Sequence, residues 1–183
     1  MCAERILTNA DLERRVDTTD EWIVSRTGIS ERHMVAEGEA TSDLAARAGA
    51  RALEDAGVAL DAIDLLVVAT SSPDMPFPST ACLAQAKLGL TCPAYDINAA
   101  CTGFIFALQH ATAAIESGRA RTVLVIGADA LTRIVDFTDR STCVLFGDGA
   151  AAFVFQASDA PGLPGIHLAR AGTAADLPSV PAR

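Results

Sequence analysis

The sequence predicts an α/β fold, a sheet layered against helices, on three observations. A continuous apolar run of strand length at residues 65–69 is followed by strand candidates at 93–97, 122–126 and 151–155. Segments of helical spacing lie between most of them, as a layered sheet requires. One of those segments, residues 103–116, is apolar almost all round, so it predicts a helix buried between layers rather than one lying on a surface.

Taken in order, Asn9-Ala10-Asp11-Leu12 opens a short helix with Asn9 as its candidate N-cap, and Asp20-Glu21-Trp22-Ile23-Val24 opens a second that ends towards Gly28. Thr41-Ser42-Asp43 caps a longer helix over 44–56. There Leu44, Ala48, Ala52, Leu53 and Ala56 keep helical spacing, and Gly57 ends it. The run 65–69, bounded by Asp64 and by Ser71-Ser72-Pro73, suits a strand buried on both faces. A helix over 79–88 follows. In the segment 103–116, Phe104, Ile105, Phe106, Ala107, Leu108, Ala111, Ala113, Ala114 and Ile115 leave almost no polar stripe. A single sheet covers only one side of such a helix. The sequence therefore implies a second layer, which four or five strands do not supply. Residues 1–172 are expected to form one unit and 173–183, with Pro178 and Pro181, a loop or linker.

A chain of 183 residues, half apolar and one fifth charged, has the composition of a soluble globular protein. It has no run of roughly 18 apolar residues and opens with neither the basic nor the apolar region of a secretory signal. Those features predict a cytoplasmic protein with no membrane partner. A formal net charge of -9 argues against nucleic acid, which is held by clustered Lys and Arg. Five cysteines without zinc-type spacing and three histidines predict neither a metal site nor a disulfide framework.

Cys101 is the candidate nucleophile. It lies in Ile97-Asn98-Ala99-Ala100-Cys101-Thr102-Gly103, between a strand and the start of the apolar helix. Unpaired N–H groups and the positive end of a helix favour a thiolate, and the same N–H groups can hold the oxyanion formed when sulfur attacks a carbonyl. Ala99, Ala100 and Gly103 leave room for a thioester. A free cysteine is also a common small core residue, which is how Cys82 and Cys143 read in their apolar stretches. Cys92 reads as part of a turn and Cys2 as part of a mobile end. Phe146-Gly147-Asp148-Gly149-Ala150 reads as a tight glycine turn. His33, His110 and His167 share no motif with Cys101, and His110 is expected inside the buried helix.

Four segments in order resemble the signatures of β-ketoacyl-acyl-carrier-protein (ACP) synthase III. They are Asp17-Thr18-Thr19-Asp20-Glu21-Trp22-Ile23; Arg26-Thr27-Gly28-Ile29 with Glu31-Arg32-His33; Ala99-Ala100-Cys101-Thr102-Gly103-Phe104; and Phe146-Gly147-Asp148-Gly149-Ala150. The resemblance implies the N-terminal half of a thiolase-like fold, a mixed sheet with a buried central helix. It implies that Cys101 takes an acyl group from acyl-CoA. Malonyl-ACP then loses CO2 and attacks the acyl-enzyme to give 3-oxoacyl-ACP, with no cofactor beyond these substrates. Trp22, Arg26 and Arg140 match positions that contact CoA, and Thr18 matches one near the same nucleotide. Phe77 matches a position that shapes the acyl pocket of the partner across a homodimer.

Members of that family are about twice as long, and their second half supplies the catalytic His, the catalytic Asn and a second oxyanion-hole amide. The resemblance therefore leads us to expect incompleteness at both ends, with decarboxylation lost unless a complementing C-terminal half is present. A polyketide-priming or other acyl-transferring relative, or a non-catalytic fragment that pairs with a full-length homologue, are the competing readings.

Overall fold

Side-chain alternation along two central strands sets up the layers. In β3 (Leu65–Ala69) and β5 (Thr122–Ala130), Leu66, Val68, Leu124, Ile126 and Ala128 point to one face of the sheet. Val67, Ala69, Val123 and Val125 point to the other. Wholly hidden aliphatic side chains such as these contribute roughly 1.5–3 kcal/mol each on burial. The structure, a computed structural model, describes residues 3–160, 162 and 165–168; Cys2 and the segment 173–183 lie outside them. The strand order is β4-β3-β5-β6, with β4 (Ala94–Ile97) and β5 parallel to β3 and β6 (Asp148–Gln156) antiparallel to β5. The sheet is mixed, as expected.

Helices α3 (Thr41–Ala56) and α4 (Thr80–Leu88) cover the first face through Leu44, Ala45, Ala48, Leu53, Ala81 and Ala84. Gly49 lets α3 approach closely, since a Cβ there would lie 3.0 Å from Leu88 Cδ1 and 3.1 Å from Ile126 Cδ1. Helix α5 (Gly103–Glu116) lies on the second face through Ala107 and Ala111. It is not buried all round: Ile105, Gln109, His110 and Ala113 form an exposed stripe. One sheet covers one stripe of a helix, and among the described residues no layer covers the other.

A second, two-stranded sheet pairs β1 (Arg5–Thr8) antiparallel with β2 (Glu31–Met34). Around it α1 (Asn9–Glu13), α2 (Asp20–Thr27) and α6 (Arg140–Cys143) enclose a third cluster of Leu7, Leu12, Ile23, Met34, Cys143 and Val144. Both strands escape the sequence reading. Thr8, not Asn9, caps α1: its Oγ1 accepts from Asp11 N, and the Asp11 carboxylate accepts from Thr8 N at 3.0 Å. Asn9 is buried instead, donating through Nδ2 to Asp20 Oδ1 at 2.7 Å and Ile29 O at 2.9 Å.

Helix α2 does end at Gly28, in the left-handed region with φ 72°. Helix α3 begins at Thr41. Asp43 caps it by accepting from Ala40 N, while Thr41 and Ser42 reach across to Ser72 O and Asp74. Asp148-Gly149-Ala150 is not a turn but the opening of β6. There Asp148 accepts from Val35 N and Thr132 N, both at 2.8 Å, tying the strand to the two loops beside it.

Candidate active site

The chain leaves β4 at Ile97, passes Asn98 and Ala99, makes a 3-10 helix over Ala100–Thr102 and runs on into α5. Ala100 takes a positive φ of 48°, uncommon for a residue with a Cβ. Asn98 Oδ1 accepts from Ala100 N at 3.3 Å, and Thr102 Oγ1 donates to Ala99 O at 2.8 Å. This corner leaves Cys101 exposed while Cys92 and Cys143 are buried. Burial pushes both of those thiols up, away from the thiolate. Cys82 is half-buried and within 3.7 Å of Ala94 O. Among the described cysteines, Cys101 alone is exposed.

Cys101 opens on a pocket of about 260 Å³ whose other walls include Ala69, Phe104, Gly127, Asp129 and Gly149. Gly127 lets Phe104 lie close, since a Cβ there would be 3.4 Å from Phe104 Cδ2. Asp129 was not singled out as a site residue from the sequence. Its Oδ1 accepts from Ser71 N at 2.8 Å, Ser72 N at 3.1 Å and Ser72 Oγ at 2.8 Å, fixing the loop that leaves β3. Its place three residues after the end of the run 122–126 was the available signal. His33 Nδ1 lies 2.6 Å from Ala3 O and His110 Nδ1 lies 3.4 Å from Tyr95 Oη, on the exposed stripe of α5 rather than inside it. Neither lines the pocket. Among the described residues no group of His, Cys, Asp and Glu is arranged to hold a metal ion, and no helix is long and apolar enough to cross a membrane.

A second locus forms where α2 meets α6. Thr19 Oγ1 caps α2 by accepting from Trp22 N at 3.1 Å, which fixes the turn that presents the indole. The Arg140 guanidinium carbon lies 4.0 Å from the centroid of the Trp22 ring, and that of Arg26 lies 4.9 Å from it. Trp22 and Arg26, one turn apart on α2, and Arg140 from α6 thus come together. Thr18 lies in the segment leading into α2. Its Oγ1 and Arg140 Nε are buried side-chain atoms with no hydrogen-bond partner within the protein. Phe77 is 83% exposed on the loop between β3 and α4 and lines neither locus.

With this geometry in view, the chain matches the 3-oxoacyl-ACP synthase III family over residues 95–172. It is 57% identical over 175 residues to the β-ketoacyl-ACP synthase III of Xanthomonas axonopodis pv. citri, a match covering 95% of this chain and 54% of that one. The crystal structure of 3-oxoacyl-ACP synthase III from Aquifex aeolicus superposes with a TM-score of 0.84 at 51% identity, covering 87% of this chain and 52% of that one. The priming β-ketosynthase of the R1128 polyketide pathway superposes with a TM-score of 0.85 at 39% identity, covering 88% and 49%. The chain spans about half the length of the curated relatives it matches. In sequence and in backbone alike the chain is similar to the N-terminal half of β-ketoacyl-ACP synthase III and of its thiolase-like α/β fold.

Proposed function

We propose that this chain carries the acyl-accepting half of a β-ketoacyl-ACP synthase III site, working in the cytoplasm. In this reading Cys101 Sγ attacks the thioester carbon of acyl-CoA, a tetrahedral oxyanion forms and collapses, and CoA leaves as its thiolate while the acyl group stays on sulfur. The observation that carries it is the placing of Cys101, exposed at a strand-to-helix corner, open to a pocket and ahead of α5. Trp22 and Arg140, stacked on each other with Arg26 beside them and Thr18 close in sequence, would bind the adenine ring once the Arg140 guanidinium swings off the indole to admit it. Malonyl-ACP is the second substrate, and the reaction calls for no cofactor besides these thioesters.

Neither His33 nor His110 lines the Cys101 pocket, so among the described residues no histidine stands ready as base or enolate stabiliser. Acylation is accordingly the step assigned to this chain. Condensation belongs to it together with a complementing C-terminal half. Phe77, almost bare on its loop, suits the role of reaching into a homodimeric partner. The polyketide-priming alternative would differ in what accepts or donates the acyl group rather than in this half-site.

Intact-protein mass spectrometry after incubation with acetyl-CoA tests the reading. A single acetyl adduct on the wild-type chain, absent from Cys101→Ala, is the expected result. Folded wild-type protein that stays unmodified would instead support a non-catalytic fragment.

A further inference from the structure

Among the residues lining the Cys101 pocket, Asp129 alone carries a formal charge; Cys101 apart, the others are Ala, Gly and Phe. Strand alternation puts it there. Val123 and Val125 on β5 face α5, Gly127 lies under Phe104 of α5, and Asp129 is the next residue on that face. Strands β4 and β5 both run parallel to β3. The end of β5, with Asp129, and the corner after β4, with Cys101, therefore lie at the same end of the sheet.

The carboxylate is also held in place. Its Oδ1 accepts from Thr70 Oγ1 at 3.2 Å, Ser71 N at 2.8 Å, Ser71 Oγ at 3.2 Å, Ser72 N at 3.1 Å and Ser72 Oγ at 2.8 Å. All of these donors converge on one oxygen, and among the described residues none donates to Oδ2. No cation balances it either, since the ion pairs of the described residues engage Arg14, His33, Arg47 and Lys87. The pocket wall thus carries a fixed anion without a counter-charge, among apolar neighbours that screen it less than water does.

Two thioesters meet in the reaction proposed above, and sulfur can attack the thioester carbon of either. Malonyl loaded on Cys101 would block the sulfur that the first acyl group needs. Charge separates the two: the acyl group to be loaded is neutral, whereas malonyl ends in a carboxylate. We infer that Asp129 sets the specificity of Cys101, admitting neutral acyl groups and repelling anionic ones such as malonyl. This rests on the acylation reading and deepens it. The repulsion needs no contact with sulfur, only a like charge in the same pocket.

The test begins with two small thiol reagents that differ in charge, iodoacetamide and iodoacetate, so that no CoA is needed. Their alkylation rates at Cys101 are read by peptide mass spectrometry on the full chain. The thiolate population is common to both reagents and cancels in the ratio of iodoacetate to iodoacetamide. In wild type that ratio is expected to be about three- to tenfold lower in the folded chain than in urea, the size of one like-charge repulsion in a partly screened pocket. Asp129→Asn, with folding checked by circular dichroism, should raise the folded ratio by about the same factor, and Asp129→Glu should keep it low. Asp61→Asn removes the same charge from an exposed position outside the pocket and should leave the ratio as in wild type. Acetyl-CoA should then acylate both wild type and Asp129→Asn, and malonyl-CoA only the variant. A folded ratio equal to that in urea, or one unchanged in folded Asp129→Asn, overturns the role of Asp129 while the acylation reading stands. Folded wild type that shows the low ratio but takes no acyl group from acetyl-CoA overturns the acylation reading and leaves the charge filter standing.

Discussion

Gly147 precedes β6, and what the position uses is its smallness. A Cβ there would lie 3.1 Å from His33 O and 3.3 Å from Arg32 Cβ, closer than a backbone carbonyl can yield without moving β2. Gly147→Ala is expected to lower the free energy of unfolding by about 1–3 kcal/mol, as overpacking does. The check is a urea midpoint that falls with an unchanged slope; an unchanged midpoint would mean that β2 can shift freely. Arg32 explains why it is held. It is buried, donating through Nε to Val144 O at 3.0 Å and through Nη1 to Asn9 Oδ1, and burial lowers its pKa from the usual arginine value. At this scale the sequence was readable unevenly. Cys101 stood out because a strand, small residues and a helix flank it. A buried arginine on a four-residue strand carries no such pattern, because its partners are 23 and 112 residues away.

Elements were legible where apolar period and length agreed. Strands β3 and β5 are continuous apolar runs hidden on both faces, and α3 and α5 keep helical spacing over three or more turns. Strands β1 and β2 were not, since four residues are too few to show a period and in β2 one of the two buried positions is Arg32, so polarity does not follow burial. The opening of β6 was missed because Asp148 and Gly149 imitate turn chemistry, whereas the register sets Gly149 opposite Asp129 on β5. Joints between elements carry the pH dependence. The Asp64 carboxylate, just before β3, accepts from Arg121 N at 2.7 Å and Thr122 N at 3.0 Å, pinning the start of β5. Those backbone hydrogen bonds hold its pKa below the ordinary 3.8. A depressed carboxylate contributes stability that is present above its unfolded pKa and lost as pH falls through its folded one. Asp64→Asn should therefore unfold at a lower temperature than wild type at pH 7, with the gap narrowing below about pH 4. A gap that widens in acid would contradict the assignment.

For the molecule as a whole, the sequence read the apolar character of α5 correctly and its burial incorrectly, for a physical reason. Composition records what a helix is suited to touch; burial depends on what the rest of the chain supplies. Within the described residues the sheet supplies one side, leaving Ile105 42% and Phe153 52% exposed. Phe153 stacks with Phe104 at 5.4 Å and with Phe155 at 6.4 Å between ring centroids. The open face is therefore a connected apolar surface rather than scattered side chains, and a dye that seeks such surfaces should find it. Because about half of each side chain is already in water, Ile105→Glu and Phe153→Glu should each cost no more than about 1 kcal/mol. Together they should reduce the emission of bound anilinonaphthalene sulfonate about twofold. Val125→Glu, which places a charge on a wholly buried position of β5, should unfold the chain and raise dye binding. If the two outer substitutions unfolded it as well, the face would have to be packed in solution, and the second layer that the apolar helix calls for would have to come from another copy of this chain.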